Sequence, residues 1–344
     1  MDKNTSSALK IWVISDGKAG HMAGSRGLVE AFGKIQATRV IWVHADLRIP
    51  GSHRLLTSAL RLFPNKWNAF WINFFYKIDE QPSDTPDIIC SAGRETQFLN
   101  ILWARKYSAR NFFVGTLRNL PHDLFAAFIT PFSINAPNHI KVDVPLTDID
   151  RDALQTATEI DMPKGAHPVW ALLIGGKTPG YGFERQDWLN LAKAMQTLSE
   201  KHGGKWLLTT SRRTGTDIEN ILKSAVPSQY ILDAVWHSDD KRKVVKPFLN
   251  AAEAVFCTED SMAMLGEAVS AGKPVYSLRP RKINLDWKET EIVSHLETGK
   301  KIYRLALAEL ANNQTPLPAL ENFNLFDTSP LDGLATALSG YLEE

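Results

Sequence analysis

The sequence predicts an α/β protein built as two doubly wound domains, and three observations carry that expectation. Short runs rich in β-formers end in Gly, Ser or Thr, and helical patterns follow them. That alternation belongs to a parallel sheet covered on both faces. The pattern then restarts after a weak, charged stretch at 148–164. A length of 344 residues, at roughly 150 per domain, also points to about two domains.

The elements follow in order. Residues 11–15 (IWVIS) read as the first strand, 25–32 as a helix and 38–43 (TRVIWV) as the second strand. Residues 87–91 (DIICS) form a strand before Gly93 and a helical pattern through Arg105. Strands at 111–116 and 124–130 complete the first half. In the second half, 169–174 (VWALLI) is apolar throughout, as a strand buried on both faces should be. A helix at 185–201, a strand at 205–210, a helix at 218–225 and a strand at 229–233 come next. A strand at 255–258, a helix at 261–270 and a strand at 274–278 close that unit. The expected domains are 1–162 and 163–325, joined near 161–166, with an amphipathic helix in 326–344 packing back.

Composition narrows the function. Lys and Arg number 39 against 38 Asp and Glu, for a net charge of +1. Nucleic-acid binding leans on a basic surface that this balance does not supply. Cys90 and Cys257 lie far apart in apolar runs, so no disulfide framework or metal cluster is legible and a reducing compartment fits. The N-terminal MDKNTSSALK has no apolar core of a signal peptide. No run reaches the roughly 18 apolar residues of a spanning helix. The expected location is the cytoplasm, peripheral on the inner face of the cytoplasmic membrane.

Ligands of open α/β sheets sit beyond the carboxyl ends of the strands, so the loops there carry the interest. The first is Ser15-Asp16-Gly17-Lys18-Ala19-Gly20-His21. Glycines permit close backbone approach, helix-start amides receive anions, and an imidazole is the side chain suited to moving protons near neutral pH. Asp16 could orient His21, while the plainer reading is a tight turn with a surface histidine. The second loop, Gly175-Gly176-Lys177-Thr178-Pro179-Gly180, resembles a phosphate cradle of bare amides and a lysine. It matches neither GxxxxGK[ST] nor GxGxxG, and a glycine-rich turn is often only a turn. The third, Ser211-Arg212-Arg213, is an anion site or a helix cap with solvated arginines. In the fourth, Thr258-Glu259-Asp260-Ser261-Met262 leads into a helix with Ser261 as N-cap. Glu267 follows on that helix, either gripping vicinal hydroxyls such as those of a ribose or simply exposed. The fifth, Gly93-Arg94-Glu95, could hold an acceptor or a phosphate, with 115–118 as a lesser loop on the same rim.

Residues 47–78 form an insertion without a single acidic residue. It carries Arg54, Arg61 and Lys66 among Phe63, Trp67, Phe70, Trp71, Phe74 and Phe75. Aromatics with only positive charge suit a bilayer interface. The competing reading is a pair of buried helices with snorkelling arginines. A membrane contact implies an amphiphilic substrate.

SDGKAGH, PDIICSAGRET, WALLIGG, LLTTSRRTG and VFCTEDSMAMLGEAVSAGKPVY, in order over 11–278, together resemble the elongated-mitochondria family of plant mitochondrial fission factors and bacterial homologues, here its bacterial branch. That family is similar to GT-B glycosyltransferases, which implies two Rossmann-like, doubly wound domains facing across a cleft. The lipid-linked GlcNAc transferases of peptidoglycan synthesis are an instructive likeness. They end a glycine-rich first loop in Gly-His, as Gly20-His21 does here. They hold a UDP-sugar with a glycine-rich loop and a helix glutamate, where Gly175-Gly176 and Glu267 stand. This chain lacks their longer first glycine run and has Thr-Glu-Asp-Ser before the ribose helix.

The resemblance implies a metal-independent, inverting glycosyltransferase with no cofactor beyond its nucleotide-sugar, expected to be UDP-linked. His21 or Asp16 would deprotonate a lipid-linked or lipopolysaccharide-type acceptor of the cell envelope. Lys18, Gly20, Gly93, Arg94 and Glu95 would meet that acceptor or its phosphate. Gly175, Gly176, Lys177, Thr178, Ser211, Arg212, Arg213, Thr258, Glu259, Asp260, Ser261, Met262 and Glu267 would meet the donor. Two alternatives stand beside it. One is a nucleotide-sugar epimerase of the same fold, and the other is a non-enzymatic membrane adaptor.

Overall fold

The computed structural model describes residues 8–63, 66, 70–118, 120–154, 167–314 and 316–343. They fall into two compact units. The first comprises Met1–Asp148 with Pro330–Glu344, and the second comprises Ile149–Ser329. The junction expected at 161–166 lies outside the described residues.

The first unit holds strands β1 (Leu9–Ser15), β2 (Thr38–Leu47), β3 (Tyr76–Ile78), β4 (Ile88–Ala92), β5 (Arg110–Val114), β6 (Ala127–Thr130) and β7 (His139–Lys141). They form one sheet in the order β3-β2-β1-β4-β5-β6-β7. All pairs are parallel except β2 with β3. Helices α1 (Ala19–Gly33), α2 (His53–Leu62), α3 (Phe70–Phe75) and α4 (Gln97–Tyr107) accompany it. Strand β1 shows why a continuous apolar run is needed. Ile11 and Val13 join Leu28 and Phe32 of α1 on one face, while Trp12 and Ile14 join Phe98 and Trp103 of α4 on the other. Alternate side chains of a strand point to opposite faces, so both sets must be apolar.

The second unit holds β8 (Val169–Ile174), β9 (Tyr181–Gly182), β10 (Lys205–Thr210), β11 (Ile231–Val235), β12 (Ala254–Thr258), β13 (Val275–Arg279), β14 (Lys282–Ile283) and β15 (Ile302–Ala306). Six make a parallel sheet in the order β11-β10-β8-β12-β13-β15, and β9 pairs with β14. Its helices are α5 (Arg151–Leu154), α6 (Arg185–His202), α7 (Thr216–Ala225), α8 (Val245–Ala251), α9 (Met262–Ser270), α10 (Trp287–Thr298) and α11 (Leu307–Ala311). Trp170, Leu172 and Ile174 of β8 pack with Trp188, Leu191 and Met195 of α6. The last helix, α12 (Pro330–Glu343), returns to the first unit. Its Leu334 and Leu338 enter the cluster on the α1 side of that sheet.

Each sheet has one position where the chain order reverses. In the first unit it lies between β1 and β4, and in the second between β8 and β12. Loops at such a switch point part to opposite faces and leave a crevice beyond the strand ends.

Several elements depart from the sequence expectation. Helix α1 starts at Ala19, ahead of the expected 25, so His21 sits in a helical first turn and not in a loop. Gly20 and Gly24 lower helix propensity there and hid the start. Strands β3, β7 and β15 and helices α8 and α10 had no expectation. The first two strands have three residues each, too few for a period to show.

Candidate functional site

At the first switch point, the β1–α1 turn is built by its own polar side chains. The Gly17 N–H donates to Ser15 Oγ at 3.1 Å and the Lys18 N–H to Asp16 Oδ1 at 3.2 Å. Such local bonds are how Asp and Ser stabilise turns. The Asp16 side chain is 2% exposed, and its Oδ2 lies 2.8 Å from His21 Nδ1 and 3.2 Å from Lys18 Nζ. Burial pushes the Asp16 carboxyl up, but the His21 and Lys18 bonds outweigh it and hold the group below the usual carboxylate range. With Nδ1 turned to Asp16, Nε2 is the nitrogen left to receive a proton. The His21 side chain remains 39% exposed.

Gly93, after β4, makes this possible. A Cβ there would lie 2.2 Å from His21 Nδ1, and the backbone holds φ +85°. Any side chain would displace the imidazole. A pocket of about 380 Å³ opens here, lined by Lys18, His21, Gly93, Arg94, Glu95 and Arg118 among others. Glu95 plays a different part from the one expected. Its carboxylate lies 2.8 Å from Lys18 Nζ, so it neutralises the lysine and offers no anion contact. Burial pulls the Lys18 pKa down, but Glu95 and Asp16 raise it above the ordinary value. Lys18 is thus held by two carboxylates, whereas Arg94 and Arg118 have no hydrogen-bond or ion-pair partner among the described residues. Gly20 is exposed in the first turn of α1.

At the second switch point, β8 ends in Gly175-Gly176. The Gly175 N–H donates to Thr258 Oγ1 at 2.7 Å and the Gly176 N–H to Asp260 Oδ2 at 2.7 Å. The Lys177 N–H donates to the Arg213 carbonyl at 3.2 Å. The expected cradle of bare amides is therefore corrected, because these three N–H groups are already spent within the protein. Asp260 fills the space a side chain at Gly175 would take, with Oδ2 2.3 Å from the Cβ position. Ser211 Oγ donates to the Gly175 carbonyl at 2.7 Å, and Thr214 Oγ1 donates to the same oxygen. Thr258, Asp260 and Ser211 thus brace the glycine loop from beneath. Burial holds the Asp260 carboxyl above its ordinary range, against the opposing pull of the Gly176 N–H and Arg213.

Glu259 also needs correction. It is 0% exposed, and Arg304 grips it in a two-pronged pair, Nε to Oε2 and Nη2 to Oε1, each at 2.7 Å. Ser277 Oγ adds a bond at 2.9 Å. Glu259 therefore positions Arg304 and has no oxygen left for a donor. Arg304 escaped the sequence reading because β15 was not recognised.

Other groups lie around the loop. Lys177 and Arg212 are exposed, and Arg213 is half-buried 3.5 Å from Asp260. Ser261 occupies the N-cap position of α9, but its side chain makes no capping bond. The first-turn amides of α9 are left without the side-chain cap that the sequence predicts. Thr178 reaches Asp260 at 3.4 Å, while Met262 and Glu267 are partly exposed on α9. A pocket of about 260 Å³ lies over the loop, lined by Gly176, Lys177, Thr178 and Tyr181, with Phe183 stacked on Trp188 at 4.7 Å.

The insertion divides between two roles. Leu56, Leu60 and Ile72 are buried in the first unit's core, and Trp71 and Phe75 pack against it. Leu55 (74%), Phe70 (72%), Phe63 and Phe74 stay exposed, as do Arg54, Arg61 and Lys66. Trp67 lies outside the described residues. The expected membrane face thus loses Trp71 and Phe75 to the core. No helix among the described residues is long and apolar enough to cross a membrane. Among them no group of three or more His, Cys, Asp or Glu is placed to hold a metal ion.

Comparison with known proteins supplies the wider frame. The family described as Mitochondrial fission ELM1 matches residues 19–323. An uncharacterized protein of Rickettsia prowazekii (strain Madrid E) is 24% identical over 303 residues, covering 71% of this chain and 84% of its own. UDP-GlcNAc 2-epimerase from Neisseria meningitidis, solved with UDP-GlcNAc bound, superposes with a TM-score of 0.54 at 13% identity, over 97% of this chain and 100% of that one. MurG of Acinetobacter baumannii gives 0.50 at 9% identity, over 96% and 99%. These likenesses establish the GT-B fold of two Rossmann-like domains.

Proposed function

The chain belongs to the Mitochondrial fission ELM1 family, and from that premise we propose that it is an inverting glycosyltransferase. Its second unit takes a nucleotide-sugar, expected to be UDP-linked, and its first unit takes an amphiphilic acceptor at a membrane surface. The observation that carries this reading is the Asp16–His21 pair at the first switch point. A buried carboxylate fixing one ring nitrogen and leaving the other accessible is the arrangement of an oriented general base.

The acceptor hydroxyl attacks the anomeric carbon and passes its proton to His21 Nε2. The bond from that carbon to the diphosphate oxygen breaks, and the nucleoside diphosphate leaves with the electron pair. Lys177, Arg212, Arg213 and the uncapped amides of α9 offset the developing charge. Fixed donors aimed at such charge are the strongest single aid to a reaction of this kind. Glu267 on α9 would grip the ribose. Burial of the structural half of the site supports a loop that does not reorganise as charge develops. The membrane part of the reading rests on the exposed apolar residues of α2 and α3 beside Arg54 and Arg61.

The epimerase with bound UDP-GlcNAc favours a second reading, interconversion of a nucleotide-sugar. One experiment separates the readings. UDP-, GDP-, ADP- and CMP-sugars are compared for the rise they cause in unfolding temperature, since a ligand of the native state stabilises it by mass action. The stabilising sugar is then incubated with and without a lipid extract. Release of nucleoside diphosphate that needs the extract supports transfer. An isomerised sugar without it supports the epimerase. Stabilisation by none of them defeats both.

A further inference from the structure

We propose that the first unit's pocket is built to hold a phosphoryl group of the acceptor, clamped by Arg94 and Arg118 beside the Asp16–His21 pair. Calling that ligand the acceptor rests on the glycosyl-transfer reading, but the anion site does not. Three observations meet here.

The first is an imbalance of charge. Lys18 is taken up by Asp16 at 3.2 Å and Glu95 at 2.8 Å, a cluster with one negative charge in excess. Arg94 and Arg118 line the same pocket with no partner among the described residues. The five groups together still carry one positive charge in excess, and two guanidinium groups with no direct partner over one cavity invite an oxyanion with several acceptor oxygens. The second is the backbone that presents them. Arg118 stands at φ 49°, a conformation that residues other than glycine seldom adopt. Such strain survives where the surroundings impose it, and it gathers at ligand sites. The third is the field felt next door. Both ring nitrogens of His53 are buried without a hydrogen-bond partner. Burial lowers its pKa first, and Arg94, Arg54 and Arg118 lower it further, with only Glu95 opposing. Three arginines therefore converge on the start of α2, the helix whose outer face exposes Leu55 and Leu62.

A phosphoryl group in this place could end a lipid or belong to a soluble phosphorylated molecule. The test uses the full chain without donor. Calorimetry follows glycerol 3-phosphate, and flotation follows phosphatidylcholine vesicles with and without phosphatidic acid. Both are repeated with Arg94→Gln and Arg118→Gln. Both side chains are exposed, so unfolding temperature should stay unchanged, and UDP affinity serves as a second control. Each variant should weaken binding of at least one phosphoryl ligand on the order of tenfold. Dependence on the arginines with glycerol 3-phosphate alone identifies a soluble phosphorylated acceptor, and with the vesicles alone a lipid phosphate. Absence of binding to both, or binding by the variants equal to the parent's, overturns the proposal. Phosphoryl binding that depends on the arginines in a protein that fails to bind any nucleotide-sugar would sustain this site and sink the transferase reading.

Discussion

At the scale of single residues, the two switch points contain polar side chains with opposite duties. His21 offers a nitrogen outward, whereas Glu259 offers nothing, since Arg304 and Ser277 occupy its carboxylate. Replacing His21 with Ala should lower kcat by about 100-fold or more while nucleotide-sugar affinity changes less than about threefold, because no donor contact is removed. Equal losses in kcat and affinity would assign His21 to binding or structure. Replacing Glu259 with Ala should instead strip a buried charge of its partner and cost roughly 3–5 kcal/mol of stability. Chemical denaturation reads that loss, and an unchanged midpoint would contradict the structural role. The types of both residues stood in the sequence, but their duties did not. His21 was singled out because an imidazole just past the first strand end, with Asp16 five positions before it, suits proton transfer. Glu259 was misassigned because its partner lies 45 positions away in a strand too irregular to recognise.

At the scale of elements, α2 divides its apolar residues between the core and the surface. Leu56 and Leu60 anchor it to the core, and Leu55 and Leu62 face outward between Arg54 and Arg61. A Leu55→Ser, Phe70→Ser pair should therefore weaken binding to anionic vesicles by at least about tenfold, since each buried apolar side chain contributes roughly 1.5–3 kcal/mol. It should leave the unfolding temperature in place. Leu60→Ala should do the reverse, costing roughly 2–5 kcal/mol of stability through a cavity. Vesicle binding that survives the double serine variant would end the membrane reading. That a basic, aromatic stretch interrupts the alternation was legible, because acidic residues are absent between Leu47 and Ile78, although Leu47 and Tyr76–Ile78 themselves belong to the sheet. Which aromatics face inward was not, since α3 has six residues and fewer than two turns define no clear stripe.

At the scale of the molecule, the first unit is completed by the end of the chain. Helix α12 places Leu334 and Leu338 in its core, and Lys34 pairs with Asp332 at 2.9 Å. Removing residues 330–344 should therefore lower the unfolding temperature of the first unit and speed amide exchange in β1 and α1. The rise in stability that a nucleotide-sugar gives to the second unit should persist. Equal loss in both units would show that the helix supports more than its own sheet. The class of the protein was legible along the chain: two runs of strand–helix alternation, with glycines and polar residues gathered at the strand ends. Those features are local, and hydrophobic periodicity records them directly. Which of the gathered residues remain available to a ligand was settled by the folding of the chain. Strand order brings Gly175 against Asp260 and His21 against Gly93, and hydrogen bonds formed across those approaches consume some groups and release others. Contacts between residues far apart in the chain leave no period behind, so no reading along the chain could have separated the braces of the glycine loop from the groups left free to bind.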